Sequence, residues 1–182
     1  VTKLISTGQG GIVVTQSRET YEKLELVRTH GVSSIFTETW NESGFNFKFT
    51  DLLSSFGIVQ LARAPGRIAH VKSIYARYAE ALEEFPFLNL IPVDVDGGEL
   101  PLYVEVLCDD REHLVRFLES KNIQIRALPP DLHSAPYLES TDEFTNSKIF
   151  GERGIYLPCG PEQPMENIER VVEALQQYQD GK

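Results

Sequence analysis

The chain has 182 residues, 41% of them hydrophobic and 24% charged, enough for one generous domain or two small ones and unlike a disordered segment. Its formal net charge of −10 disfavours nucleic acid and an anionic membrane as partners, and no run approaches the ~20 apolar residues that span a bilayer. The two cysteines, Cys108 and Cys159, fit reduced cytosolic thiols better than a disulfide framework, and with the four histidines they form no zinc-ligand spacing, so no metal is expected.

In chain order, Lys3 stands just ahead of a turn that carries Gly8, Gly10 and Gly11. Glycine admits positive φ and lets the backbone approach a ligand or another backbone closely. Residues 11–15 read as a buried strand, because Ile12, Val13 and Val14 are β-branched and uninterrupted. Ser17 is placed to cap a helix over 20–28, with Tyr21, Leu24 and Val27 at helical spacing. Gly31 is its stop and His30 a solvated helix end. Residues 32–43 show no period and hold the single tryptophan, Trp40.

Gly44-Phe45-Asn46-Phe47-Lys48-Phe49 alternates, which predicts a short extended segment with three aromatics on one face and Asn46 and Lys48 on the other. Thr50 or Asp51 then caps a helix over 52–62 that is apolar on more than one face, hence buried or at an interface. Pro65-Gly66 is expected to break it before a longer helix over 67–85, striped by Ile68, Val71, Tyr75, Tyr78 and Leu82.

Residues 88–101 read as an irregular connection and 102–107 as a strand with Tyr103 and Glu105 on its alternate face. Asp109 or Asp110 caps a helix over 112–121 with Leu114, Phe117 and Leu118 inward, ended by Asn122. A second strand is expected over 123–128. The prolines of Leu128-Pro129-Pro130-Asp131-Leu132-His133-Ser134-Ala135-Pro136 then enforce a loop. A short helix over 144–150, a last strand over 155–159 and a helix over 165–178, with Pro164 in its first turn, complete the chain. Cys159 reads as structural, with no histidine nearby in sequence to activate it.

Four stretches resemble one family. Lys3-Leu4-Ile5-Ser6-Thr7-Gly8-Gln9-Gly10-Gly11, Arg28-Thr29-His30-Gly31, Gly44-Phe45-Asn46-Phe47-Lys48 and Leu157-Pro158-Cys159-Gly160-Pro161 follow the order seen in the pyridoxal-phosphate-dependent sugar aminotransferases (the DegT/DnrJ/EryC1/StrS family). Gln9 stands where the family usually has Glu, and Lys48 where Arg is commoner, which keeps a point charge but loses a bidentate phosphate grip. The resemblance implies an α/β chain of the aspartate aminotransferase type, fold type I. Residues 1–85 would be the end of the cofactor domain with its long linking helix, and 86–182 the small C-terminal α+β domain. It implies that Lys3 forms the Schiff base with pyridoxal 5'-phosphate and moves the Cα proton. Asn46 would reach the cofactor phosphate of the other subunit of a homodimer. Lys48 would lie near the sugar-nucleotide diphosphate, with Arg126 and His133 on the substrate side of the cleft.

The implied reaction moves an amino group from an amino acid, usually glutamate or glutamine, to a nucleotide-linked keto sugar in cell-surface polysaccharide or sugar-antibiotic biosynthesis, in the cytoplasm. Members of the family are much longer, so the chain is expected to be a C-terminal fragment, inactive alone. A dehydratase branch of the family replaces the lysine with histidine, against which Lys3 argues. Two other readings stay open: a non-catalytic regulatory relative or a separately folded dimerisation or substrate-binding fragment of the same fold, and an unrelated α+β module whose Gly-rich turn holds an anion.

Overall fold

The computed structural model describes residues 3–34, 36, 39–138 and 142–181. Val1, Thr2 and three positions of the aperiodic 32–43 stretch, residues 35, 37 and 38, lie outside the described residues. The chain divides into two compact units, one of Val1–Leu4 with Ala64–Lys182, the other of Ile5–Arg63. The helix α2, Asp51–Leu82, contributes to both.

The larger unit is a four-stranded antiparallel sheet in the order β1-β2-β4-β3, with helices against one face. β1 is Leu88–Leu90, β2 Val104–Cys108, β3 Arg126–Ala127 and β4 Gly154–Leu157. Side chains alternate across the pleat. Val104, Val106, Cys108, Ile155 and Leu157 therefore point into the core, where they meet the second half of α2, α3 (Arg111–Ser120) and α5 (Met165–Asp180). Each of the fully buried Leu, Ile and Val side chains contributes about 1.5–3 kcal/mol relative to exposure. The predicted stripe of α2 is present in Val71, Tyr78 and Leu82, and Ile74 and Ala81 join it. The buried Tyr78 hydroxyl donates to the carbonyl of Pro158 at 2.9 Å, tying α2 to the end of β4, and burial pushes its phenol well above the usual range.

Local chemistry sets the helix ends. Asp110 caps α3 by accepting from the backbone N–H of His113, and Asn122 takes a positive φ of 58° where the helix stops. Pro164 occupies the N-cap position of α5, and α4 runs Thr145–Arg153. The connection expected to be irregular over 88–101 carries β1. Three residues suffice there because the side of β2 away from β4 takes up their hydrogen bonds, ending with Ile91 N–H to the Glu105 carbonyl at 2.9 Å. Conversely, the strand expected over 123–128 pairs only at Arg126 and Ala127, with Leu128 N–H donating to the Gly154 carbonyl at 3.0 Å; in that register residue 124 would face Pro158, which has no donor, and Pro129 and Pro130 end the other side.

The smaller unit contains α1, Arg18–Arg28, capped by Ser17, whose hydroxyl accepts from the N–H of Thr20 at 3.2 Å. Thr50 caps α2 through its hydroxyl, which accepts from Leu53 N–H at 3.4 Å, and through its carbonyl, which accepts from Ser54 N–H at 2.9 Å. Two expectations fail here. Residues 11–15 form no strand, and Ile12, Val13 and Val14 are 90%, 70% and 86% exposed. A strand forms only where a neighbour takes its hydrogen bonds, and no described segment pairs with this one. Pro65-Gly66 does not break the helix either, because Pro65 lies inside α2. Proline removes a single donor, the one to the carbonyl four residues back at Leu61. That turn is open to water, and the buried stripe on the following turns holds the helix together. No helix among the described residues is long and apolar enough to cross a membrane.

Candidate functional site

Asn46 and Lys48 lie on one short extended segment held by the end of α1. Thr29 and Asn46 form an isolated antiparallel bridge. Phe45 N–H donates to the Val27 carbonyl at 2.8 Å, His30 N–H to the Phe45 carbonyl at 2.9 Å and Phe47 N–H to the Arg28 carbonyl at 3.0 Å. The crossing depends on glycine. A Cβ at Gly31 would stand 1.9 Å from the Glu42 oxygen, and one at Gly44 2.0 Å from the Gly31 nitrogen. Gly31 and His30 both have positive φ, 76° and 59°, which turns the chain back along the helix end. Phe45 and Phe47 stack with centroids 4.9 Å apart, as expected for neighbours on one face of an extended segment. Asn46 and Lys48 are exposed, and neither side chain has a hydrogen bond or ion pair with a described residue.

The glycine turn belongs to the same unit. Gly8 and Gly10 have φ of 84° and 125°. A Cβ on Gly10 would meet the Phe49 ring at 2.5 Å, so the turn packs directly under Phe49, next in sequence to Lys48. The Thr7 hydroxyl donates across the turn to the Gln9 carbonyl at 2.5 Å.

Lys3 falls in the larger unit, exposed on a bend, and its amine makes no ion pair among the described residues. The carbonyl of the next residue, Leu4, accepts from Arg67 Nη1 at 2.8 Å. Arg67 lies off the stripe of the helix expected over 67–85; a contact reaching across 63 positions leaves no mark in local spacing.

Arg126 sits on the edge strand β3 in a row across the sheet. It pairs with Tyr156, and Tyr156 pairs with Glu105 of β2. By strand alternation this row lies on the face away from the helices. Burial first, and the Glu105 charge after it, push the Tyr156 phenol up, while Arg126 pulls it down. The Tyr103 ring stands 5.1 Å from that of Tyr156. Tyr103 and Glu105 were legible as one face of a strand, but neither they nor Tyr156 as Arg126's surroundings. His133 lies in a single 3-10 turn, Leu132–Ser134, with its ring 4.8 Å from that of Phe144. Asn46 and Lys48 are thus brought together, whereas no hydrogen bond or ion pair joins Lys3, Arg126 and His133 among the described residues.

Comparison with known proteins bears on this arrangement. The chain is 25% identical to the GDP-perosamine synthase of Escherichia coli O157:H7, over 99% of this chain and 50% of that protein. Among solved structures it superposes on AtS13 from Actinomadura melliaura with a TM-score of 0.82 at 23% identity, covering 96% of this chain and 48% of that one. It superposes on the E. coli GDP-4-keto-6-deoxy-D-mannose-3-dehydratase, solved with bound hydrated PLP, with a TM-score of 0.79 at 20% identity, covering 96% and 52%. The chain therefore spans about half the length of the relatives it matches. The model of the DegT/DnrJ/EryC1/StrS aminotransferases, a pyridoxal-phosphate-dependent family, matches residues 1–176, and the chain belongs to that family.

Proposed function

We propose that the chain supplies one part of an enzyme that transfers an amino group from an amino acid, glutamate or glutamine, to a nucleotide-linked keto sugar. The supporting observation is Lys3: an exposed amine, without an ion pair among the described residues, ahead of a glycine turn in a chain matched by the aminotransferase family over residues 1–176. An uncommitted amine is what covalent attachment of an aldehyde cofactor requires, so the residues present fit pyridoxal 5'-phosphate. When bound, the cofactor supplies the electron sink for the reaction.

In this reading Lys3 holds the cofactor through its Nζ and, once released, carries the proton to and from the substrate carbon as general base. Asn46 donates its carboxamide N–H to the cofactor phosphate of a partner subunit, so the working enzyme is a homodimer. Lys48 lends a point charge to the sugar-nucleotide diphosphate. Arg126 and His133 face the substrate from the small domain. Residues 1–85 act with the cofactor domain and 86–182 as the small domain. The product feeds cell-surface polysaccharide or sugar-antibiotic synthesis in the cytoplasm. GDP-perosamine synthase among the relatives supports a nucleotide-linked sugar as substrate.

The test is an amino-transfer assay of the complete enzyme with nucleotide-linked 4-keto sugars. Formation of the amino sugar together with one equivalent of 2-oxoglutarate from glutamate is expected. Loss of the keto sugar's hydroxyl with no amino sugar formed would place the protein with dehydratases instead.

A further inference from the structure

The larger unit contains a contact that ties the backbone beside Lys3 to a distant loop. Arg67, two residues after Pro65 in α2, has a side chain only 14% exposed. Its Nη1 donates to the Leu4 carbonyl at 2.8 Å and its Nη2 to Glu162 Oε1 at 2.5 Å. Glu162 lies in the loop between β4 and α5, and the neighbouring Gln163 carbonyl stands 2.7 Å from Nε2 of His70, one turn further along α2. The turn from Arg67 to His70 thus grips that loop at two consecutive residues, and the same guanidinium grips the residue that follows Lys3.

We infer that Arg67 is a positioning residue for Lys3, acting through the Leu4 carbonyl, with Glu162 holding the guanidinium in place. The inference rests on the reading of Lys3 as the cofactor-bearing lysine. A lysine amine swings on a four-carbon stem, so where it can reach is set by where its Cα is fixed. Consecutive Cα atoms are 3.8 Å apart, and a bond to Leu4 therefore restrains Lys3 directly. Arginine suits the task because its planar fork presents donors in two directions at once. A lysine at position 67 would offer a point donor without that fixed divergence. Glu162 is 75% exposed, so it acts as an anchor for a mostly buried guanidinium and not as part of a sealed ion pair. Arg67 touches neither cofactor nor substrate in this scheme. It narrows the positions from which the amine and its proton approach the reacting carbon, which is where small displacements lower rates most.

The experiment uses the complete holoenzyme with Arg67→Ala, Arg67→Lys and Glu162→Ala, read by steady-state kinetics and by amide hydrogen exchange of the peptide that contains residues 3–8. Arg67→Ala should exchange faster in that peptide. Its kcat should fall roughly ten- to a hundredfold, with the KM values for amino donor and sugar nucleotide within about twofold, the split expected of orientation rather than binding. Added guanidinium ion should restore part of the lost kcat. Arg67→Lys and Glu162→Ala should lie between wild type and Arg67→Ala on both readouts. If Arg67→Ala fails to fold, Arg67→Lys carries the decision. Wild-type kcat and wild-type exchange of the 3–8 peptide in a folded Arg67 variant would overturn the inference. Borohydride reduction of the same holoenzyme separates the two readings: a pyridoxyl label on a lysine other than Lys3, together with faster exchange in Arg67→Ala, would leave the bond to Leu4 standing and overturn its catalytic purpose.

Discussion

A Cβ at Gly31 or at Gly44 would lie within about 2 Å of the backbone it crosses, 1.9 and 2.0 Å respectively. Those two residues therefore fix the angle at which Asn46 and Lys48 leave the end of α1. Gly31 was legible as a helix stop, because positive φ after a helix is a local property of one residue. Its role as a crossing point was not, since that requires Gly44 opposite, 13 positions on in a stretch without periodicity. Alternation with the aromatics placed Asn46 and Lys48 on one face, in agreement with the stack of Phe45 on Phe47, but only the family resemblance marked them as site residues. Removing one hydrogen bond to a charged phosphate costs about 1.5–3 kcal/mol. Asn46→Ala should therefore weaken cofactor retention by a factor of roughly ten to a hundred, measured by equilibrium dialysis of pyridoxal phosphate. Lys48→Ala should raise the KM for the sugar nucleotide and leave cofactor retention near wild type. Unchanged values in both would remove these two residues from the phosphate sites.

Among the elements, helices were the most legible because their caps and stripes are written within a few residues: Ser17, Asp110 and Pro164 all stand at helix starts. Strands were less so. Residues 11–15 have the composition of a buried strand and no paired neighbour among the described residues, while Leu88–Leu90 has little pattern and a good neighbour in β2. Pairing decides a strand, and pairing is non-local. The placing of α2 against α5 shows the same dependence. Arg77 Nε and Nη2 each donate to a different oxygen of the Glu169 carboxylate at 2.7 Å, and the hydrogen bond from Arg77 holds Glu169 below the usual carboxylate range. A depressed folded pKa stabilises the protein above the unfolded value, ~4.3 for Glu, and that stabilisation is lost as pH falls towards the folded value. Because the Glu169 side chain is 46% exposed, solvent screens the pair and it contributes only about 0.5–1 kcal/mol. Urea unfolding should show Glu169→Gln less stable than wild type by that amount at pH 7, with the gap closing as pH falls below ~4. A gap that stays constant through the acid range would assign the difference to something other than this ion pair.

At the scale of the molecule the two units differ in kind. The larger has a core of its own, built from one face of the sheet and three helices. In the smaller, Gly31 is the only buried residue among those described, and Leu52, Phe56, Ile58, Val59 and Leu61 of α2 are all at least half exposed. Composition predicted a helix with apolar residues on more than one face, hence buried or at an interface; in the isolated chain that apolar surface lies open. Open apolar surface of this extent marks a contact region or promotes association. The isolated 182-residue chain should accordingly self-associate in sedimentation velocity, bind pyridoxal phosphate weakly and show no amino transfer. Saturable, stoichiometric cofactor binding with turnover in the isolated monomer would show that no further segment is needed.

The roles proposed for Asn46, Lys48 and Arg67 all depend on Lys3 as the cofactor-bearing lysine. Borohydride reduction of the complete holoenzyme, followed by proteolysis and mass mapping, reads that assignment without reference to substrate. A pyridoxyl group on Lys3, in the peptide that continues through Gly8, Gly10 and Gly11, is expected. A pyridoxyl group on any other lysine, with Lys3 recovered unmodified, would contradict it.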